Sequence, residues 1–404
     1  MVALAAALFC VLQVSDPASD GLKALEEGKY EAAAQAFTRA IAADPQDYFA
    51  HFNLAMAYSL LHKDAEALAE YRKTLGLKPG LYEAELNAGI LLLRQKSAAE
   101  ALPLLEDSAA QKPKEFRPRY YLAEAQLQTG ATQKAAENFR LALEVNAKSA
   151  GAELGLARAL AQQEKLADAA PHFRQAAALD AGYRDALLEL AGLYEKNRQP
   201  AEAIAIYREF PGDTAVQERL GALLLESRQY ADAIPRLEQA WRTDPTPANR
   251  VALAMAYLFN QQLDQALPLF AQAVAAEPAN YDVRMMYARA LRDHKQLPAA
   301  AAQFSEAVRL KPGEAQAWSE LASVLYLMGQ YPQSLEAFDR ARQAGEDTPG
   351  NWFLRANILD KLKQLKPALE AYERFLSMSQ GKNPDQEFQA RQRARIIRNE
   401  LEKR

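Results

Sequence analysis

Residues Tyr48 to Gly80, YFAHFNLAMAYSLLHKDAEALAEYRKTLGLKPG, form the unit that the rest of the chain repeats. Apolar side chains recur in both halves at spacings close to the 3.6-residue period of an α-helix: Phe49, Phe52, Met56 and Leu60, then Leu68, Tyr71, Leu75 and Leu77. Pro79 then ends the second half, because proline cannot continue a helix. The stretch predicts two amphipathic helices joined by a tight turn, a pair that must bury its apolar faces against similar pairs.

The pattern returns about every 34 residues, a period that the series Pro45, Pro79 and Pro113 shows directly. Counted from Tyr48 and its equivalents, three columns stay in register through eleven copies. The eighth position is small: Gly21, Ala55, Gly89, Ala123, Ala157, Ala191, Gly221, Ala254, Ala288, Ala322 and Ala356. The twentieth is also small: Ala33, Ala67, Ala101, Ala135, Ala169, Ala203, Ala233, Ala266, Ala300, Ser334 and Ala368. The twenty-fourth is large: Phe37, Tyr71, Leu105, Phe139, Phe173, Tyr207, Leu237, Phe270, Phe304, Phe338 and Tyr372. Small columns allow close helix approach, and the large column fills the space beside them.

This register resembles the tetratricopeptide repeat, whose signature positions are occupied here by Leu54, Ala55, Tyr58, Ala67, Tyr71 and Pro79. The resemblance covers residues 16–379, about eleven repeats. It implies an all-α fold, a right-handed superhelical solenoid of antiparallel helix pairs. It also implies that the first helix of each repeat lines a concave groove in which a protein or peptide partner binds.

By the same resemblance, positions two, five, nine, twelve and thirteen of each repeat face the groove. We therefore predict a partner-binding groove lined by Phe49, Phe52, Met56, Leu60, Leu86, Ile90, Tyr120, Glu124 and Arg158. Each apolar member could equally be a core residue that packs on a neighbouring helix. Phe52 and Met56 stand where the family's clamp for C-terminal carboxylates has Lys and Asn, so that mode of binding is not expected.

Composition and motifs argue against several other functions. The net charge of -4, from 48 basic and 52 acidic residues, makes no case for nucleic-acid binding. The single Cys10 excludes an intramolecular disulfide and a cysteine-rich metal site. The sequence has no Gly-rich phosphate loop or nucleophile elbow, and its four histidines are unclustered, so each is interpreted as a helix-surface residue. We expect no enzyme activity, no cofactor and no metal.

The two ends of the chain are set apart from the repeats. Residues 1–15 begin with an uncharged apolar run whose length suits a signal peptide, although a misplaced start or an apolar first helix would also explain it. A signal would place the protein in the periplasm or outside the cell, with membrane contact only through this leader; otherwise it is cytoplasmic. Residues 383–404 predict a C-terminal capping helix, or alternatively an arginine-rich docking surface for an acidic partner or anionic lipid.

One repeat, at residues 184–213, is about four residues short, and we predict either a structural kink or a functional hinge near Phe210 to Thr214. The function expected from all of these features is a non-enzymatic scaffold for protein-protein interaction, with a role in cell-envelope assembly if the leader is a signal peptide. The alternative is a repeat-containing subunit or regulatory arm of an enzyme complex, such as a glycosyltransferase or a polysaccharide-export machine.

Overall fold

The computed structural model describes residues 16–403, which hold 23 α-helices and one 3-10 turn and contain no strand. The chain divides into two compact units, one ending at Ile206 and the other beginning at Tyr207. The apolar run at residues 1–15, predicted as a signal peptide, lies outside the described residues.

The first unit is built from helix pairs in which the odd-numbered helix comes first in its repeat and the even-numbered helix second. The helices are α1 (Pro17–Glu26), α2 (Tyr30–Ala43), α3 (Tyr48–Leu60), α4 (Asp64–Leu77), α5 (Tyr82–Arg94), α6 (Ala98–Gln111), α7 (Phe116–Gln128), α8 (Thr132–Val145), α9 (Ala150–Gln162), α10 (Leu166–Leu179) and α11 (Ala186–Lys196). A 3-10 turn at Ala181–Tyr183 precedes α11, and α12 (Pro200–Tyr207) ends at the boundary of the unit. The two helices predicted for the opening stretch are confirmed as α3 and α4.

The second unit continues the same alternation and ends in one additional helix. Its helices are α13 (Thr214–Glu226), α14 (Tyr230–Thr243), α15 (Pro247–Phe259), α16 (Leu263–Ala276), α17 (Tyr281–Asp293), α18 (Leu297–Leu310), α19 (Ala315–Leu327), α20 (Tyr331–Gln343), α21 (Pro349–Lys361), α22 (Leu365–Ser379) and α23 (Pro384–Glu402). In both units first helices pack against the second helices of their own repeats, as α3 does with α4 and α13 with α14.

The three sequence columns are buried and form the contact between the helices of each pair. Glycines of the eighth column show how close this contact is. A Cβ atom at Gly21 would lie 2.7 Å from the Phe37 ring, and one at Gly89 would lie 2.6 Å from the Leu105 side chain. These approaches are shorter than van der Waals contact, so the small eighth residue is required by the large twenty-fourth residue of the same repeat.

The turn between the two helices of every repeat has a left-handed residue at the fifteenth position. The eleven residues, with φ between 57° and 81°, are Gly28, His62, Lys96, Gly130, Glu164, Arg198, Arg228, Gln261, Lys295, Gly329 and Lys363. Eight of them are not glycine, so the helix pair imposes a conformation that L-residues otherwise avoid. This feature could not be predicted from the sequence, because the eleven residues share no side-chain chemistry.

The sixth repeat has short helices. α12 has 8 residues, whereas the second helices α2 and α22 have 14 and 15. The kink or hinge expected there remains a prediction.

The final helix α23 buries Ala390, Ala394 and Ile397 in a cluster with residues of α21 and α22. Phe388, on the same helix, is 64% exposed. Three of its arginines are paired inside the unit: Arg391 with Glu387, Arg393 with Asp360, and Arg398 with Glu373.

Candidate partner-binding groove

The first helices lie on the inner side of the curvature in the first unit. Helices α1 and α3, α5 and α7, and α7 and α9 contact one another although a second helix separates them in the chain, while α3 and α5 make no contact of that extent. Second helices one repeat apart make no contact of that extent among the described residues. An array whose first helices are closer together than its second helices is concave on the first-helix side, so α3, α5, α7 and α9 line the groove.

The apolar residues predicted for this groove differ widely in exposure. Phe49 is 42% exposed and Leu60 is 45% exposed, and Met56 is half-buried between them on α3. Phe52 and Ile90 are also half-buried and pack on the core below the groove. The Phe52 ring, for example, meets the Tyr71 ring edge-on at a centroid distance of 5.8 Å.

Leu86 does not belong to the groove surface. Its side chain is 2% exposed and packs in the core formed by α4, α5 and α6, among residues such as Leu68 and Leu105. Position five of this repeat therefore points between the helices, and the prediction that Leu86 presents its side chain to a partner was wrong.

The apolar strip of the groove, formed by Phe49, Phe52, Met56, Leu60 and Ile90, ends on α7 at Tyr120. Its ring stacks on Phe116 at 5.4 Å and meets Tyr121 and Phe139 edge-on at 5.1 and 5.9 Å. Burial raises the pKa of the Tyr120 hydroxyl. This hydroxyl has room because Gly151 has no side chain: a Cβ atom there would lie 3.0 Å from it.

Glu124 lies one turn further along α7, half-buried. Burial is the main cause that raises the pKa of its carboxyl group, while attraction to Arg158 and the Tyr120 hydroxyl, within hydrogen-bonding reach, act in the opposite direction. Burial outweighs both, so the ionised carboxylate has lost more solvation than its neighbours return.

Arg158 on α9 is engaged by the following repeat. Its Nε donates to both carboxylate oxygens of Glu189 at 3.1 and 3.0 Å, and its Nη2 donates to Oε2 at 2.8 Å. The second unit repeats this bond, since Nε of Arg289 donates to Oε1 of Glu320 at 3.0 Å. In both cases an arginine at position nine meets a glutamate at position six of the next repeat, so the pair joins adjacent repeats.

Comparison with known proteins agrees with the repeat register. A family model described as tetratricopeptide repeat matches residues 21–82, 86–152, 251–315 and 319–386, and a second model with the same description matches residues 160–224. The chain belongs to the tetratricopeptide repeat family. No curated protein matches it.

Solved tetratricopeptide-like structures resemble part of the chain. MamA from Desulfovibrio magneticus RS-1 is 22% identical over 41% of this chain and 94% of that chain, with a TM-score of 0.39. MamA of AMB-1 is 23% identical over 41% of this chain and 98% of that chain, with a TM-score of 0.39. At such identities and scores the likeness conveys nothing about function.

A polar contact at position four also recurs in the tetratricopeptide repeats of both units. His51 is 4% exposed; its Nδ1 lies 2.6 Å from Glu70 Oε2 and its Nε2 lies 3.2 Å from the Pro45 carbonyl oxygen. Position four meets position twenty-three in the same way in three further repeats, through the pairs Arg119–Asn138, Glu153–His172 and Arg284–Gln303. The interpretation of His51 as a surface residue was wrong. The recurrence of polar residues 19 positions apart was the available signal.

No helix between residues 16 and 403 is long and apolar enough to cross a membrane. Across those same residues, no three His, Cys, Asp or Glu side chains are grouped so as to hold a metal ion.

Proposed function

We propose that this protein is a non-enzymatic scaffold that holds an apolar segment of a partner protein in the groove of its first unit. The observation that carries the proposal is the exposure of Phe49 and Leu60, continued by the half-buried Met56 and Ile90 on the same inner face. Apolar surface that continues over neighbouring repeats is typical of interaction sites, and aromatic side chains dominate the energetics of interfaces.

The polar groups of the first unit also support a binding role. Arg158 pairs with Glu189, and His51 pairs with Glu70 while also contacting the chain before its own helix. These ionisable groups join helices and repeats to one another, which is a structural use. Catalysis would instead need a nucleophile or base within reach of an open reaction site.

The proposal is tested by capture of partners from a lysate of the native organism on immobilised protein. The matched variants are Phe49→Gln with Leu60→Gln on the groove, and Leu141→Gln with Val145→Gln on the second helix α8, where both residues are similarly exposed. We expect that one or more proteins will be retained by the wild type and by the α8 variant but not by the groove variant. Equal retention by all three would place the site elsewhere and refute the proposal.

We further propose a cell-envelope location, which rests only on the apolar run at residues 1–15. Cell fractionation combined with N-terminal sequencing of the mature protein tests this location. Cytoplasmic protein that retains Met1 would contradict it.

A further inference from the structure

The ninth position of the repeat carries a charge in three of the eleven copies, at Glu124, Arg158 and Arg289. The two arginines each meet a glutamate at position six of the following repeat, Glu189 and Glu320. For Glu124 the residue at that place is Gly155. The register that gives two of these charges an internal partner therefore gives the third none.

Packing fixes Gly155 in this place. A Cβ atom on Gly155 would lie 2.2 Å from the Cζ atom of Phe139, a fully buried residue of the large column. No side chain, and so no basic side chain, can occupy position six of this repeat unless the aromatic residue moves. The chain cannot supply a counter-ion to Glu124 from the position that supplies one elsewhere.

The other neighbours of Glu124 replace that counter-ion only in part. Tyr120 offers a neutral hydroxyl. Arg158 attracts Glu124 but directs its Nε and Nη2 donors to Glu189. Glu124 is thus a half-buried carboxylate at the end of an apolar strip, with no basic group of its own at the standard inter-repeat position. A cation from outside complements such a site.

We infer that Glu124 pairs with a lysine or arginine of the partner, whose apolar side chains lie along Phe49, Met56 and Leu60. This inference rests on the proposed function and specifies the partner as an apolar segment with a basic residue at one end. The charges are the reverse of those in the clamp for C-terminal carboxylates, because here the protein supplies the anion and the partner supplies the cation. The charge also sets the direction in which the segment lies in the groove.

Selection of random peptides displayed on phage against the full-length protein is the first test. We expect enriched peptides to combine apolar residues at helical or alternating spacing with a lysine or arginine toward one end. Enrichment of apolar peptides that carry acidic residues or no charge would overturn the inference and leave the proposed function standing. If no peptide is enriched above the background of uncoated surface, both are overturned.

Affinities of one enriched peptide, measured by fluorescence polarisation, give the second test. Glu124→Gln should weaken binding by about tenfold or more, because it leaves the peptide cation without its partner. The matched control is Glu144→Gln on the second helix α8, an exposed carboxylate outside the groove that should have no effect. Replacement of the peptide's basic residue by norleucine should weaken binding to the wild type but not further to Glu124→Gln.

Loss of binding in the groove variant Phe49→Gln with Leu60→Gln, together with full binding by Glu124→Gln, would refute the inference alone. Equal binding by both variants would refute the groove as the site. Melting curves and circular dichroism of each variant distinguish lost binding from lost folding.

Discussion

The ninth position of the repeat carries a charge in both units, but only the first unit has a charge there without a counter-ion at position six of the next repeat. In the second unit Arg289 and Arg292 both bond to Glu320, and Arg292 also bonds to Asp293, so the charges are satisfied within the protein. In the first unit Arg158 is paired with Glu189 in the same way, but Glu124, at the same ninth position, has Gly155 at position six of the next repeat. The residue at position six of the neighbouring repeat therefore decides whether a charge in the groove stabilises the repeat array or stays available to pair with a partner.

The two units also differ in how their exposed apolar residues are placed. Phe49, Met56 and Leu60 lie together on one helix of the first unit. In the second unit the exposed Phe259 stacks on Tyr230 of the preceding repeat at 5.3 Å, and α17 with its arginines comes between it and Leu327, the exposed apolar residue of α19. Among the first helices, two exposed large apolar residues lie on one helix in the first unit, at α3, whereas in the second unit they lie singly on α15 and α19.

The largest expected effect tests whether the units unfold independently. Phe173 is fully buried beside Ala169 and Ala157, so Phe173→Ala should destabilise the first unit by about 3 to 5 kcal/mol. All three tryptophans, Trp241, Trp318 and Trp352, lie in the second unit. Because losses in repeat arrays are local, circular dichroism should show an early transition while tryptophan fluorescence changes little.

Phe304→Ala is the matched variant in the second unit, where Phe304 is equally buried in the same column. It should shift the fluorescence transition to lower denaturant concentration. Identical shifts by both probes in both variants would mean that the two units unfold as one. An unchanged transition in Phe173→Ala would contradict the repeat register itself. In the opposite direction, Ala169→Leu should cost about 1 to 3 kcal/mol through overpacking.

The carboxylates of Glu320 and Glu124 should differ in their contribution to folding stability. Glu320→Gln removes the negative charge that Arg289 and Arg292 share, and one of its two acceptor oxygens, and should cost about 1 kcal/mol, since both arginines keep partial solvent access. Glu124→Gln at neutral pH should leave stability unchanged or raise it, because burial disfavours the charged form of this residue. Chemical denaturation of both variants measures the difference. Destabilisation of Glu124→Gln as large as that of Glu320→Gln would show that Glu124 has a structural role.

How much of the fold and of the groove could be predicted from the sequence depends on whether a feature recurs in every repeat. The buried columns around Ala157, Ala169 and Phe173 followed from periodicity, because close packing leaves the same size pattern in every repeat. Leu86 and Phe49 were assigned to one surface by the average register, which cannot show that a particular side chain turns into the core. The contact of His51 with Glu70 was missed because it needs two positions in different helices to be considered together.

The pH dependence of partner binding is expected to follow Glu124. The pKa of its carboxyl is raised by burial, and Tyr120 and Arg158 are the groups that act against this rise. Since only the ionised form attracts a cation, the affinity for a basic peptide should be lost as pH falls through this raised pKa. Peptide titrations at a series of pH values should show this loss in the wild type and not in Glu124→Gln.

The effect of pH on folding stability through Glu124 has the opposite sign to its effect on peptide affinity. A carboxyl whose pKa is raised by folding contributes stability while protonated, and that contribution is lost as pH rises through the raised pKa. The stability of the wild type relative to Glu124→Gln should therefore decline with rising pH across that interval. A stability difference that instead grows with pH would show that the ionised carboxylate is stabilised within the protein, and the site would not need a partner.

The smallest expected effect should be equal in the two units. Gly130 and Gly329 hold the left-handed turn position with φ of 81° and 74°, and a Cβ atom would meet nothing within 4 Å at either one. Alanine there has only the backbone strain of the left-handed conformation, offset in part by its lower entropy in the unfolded chain. Each Gly→Ala change should therefore cost about 0.5 to 1 kcal/mol. Lys96→Gly, which relieves that strain in the first unit, should be neutral or slightly stabilising, and a clear loss of stability there would mean that the Lys96 side chain, rather than the turn geometry, stabilises this connection.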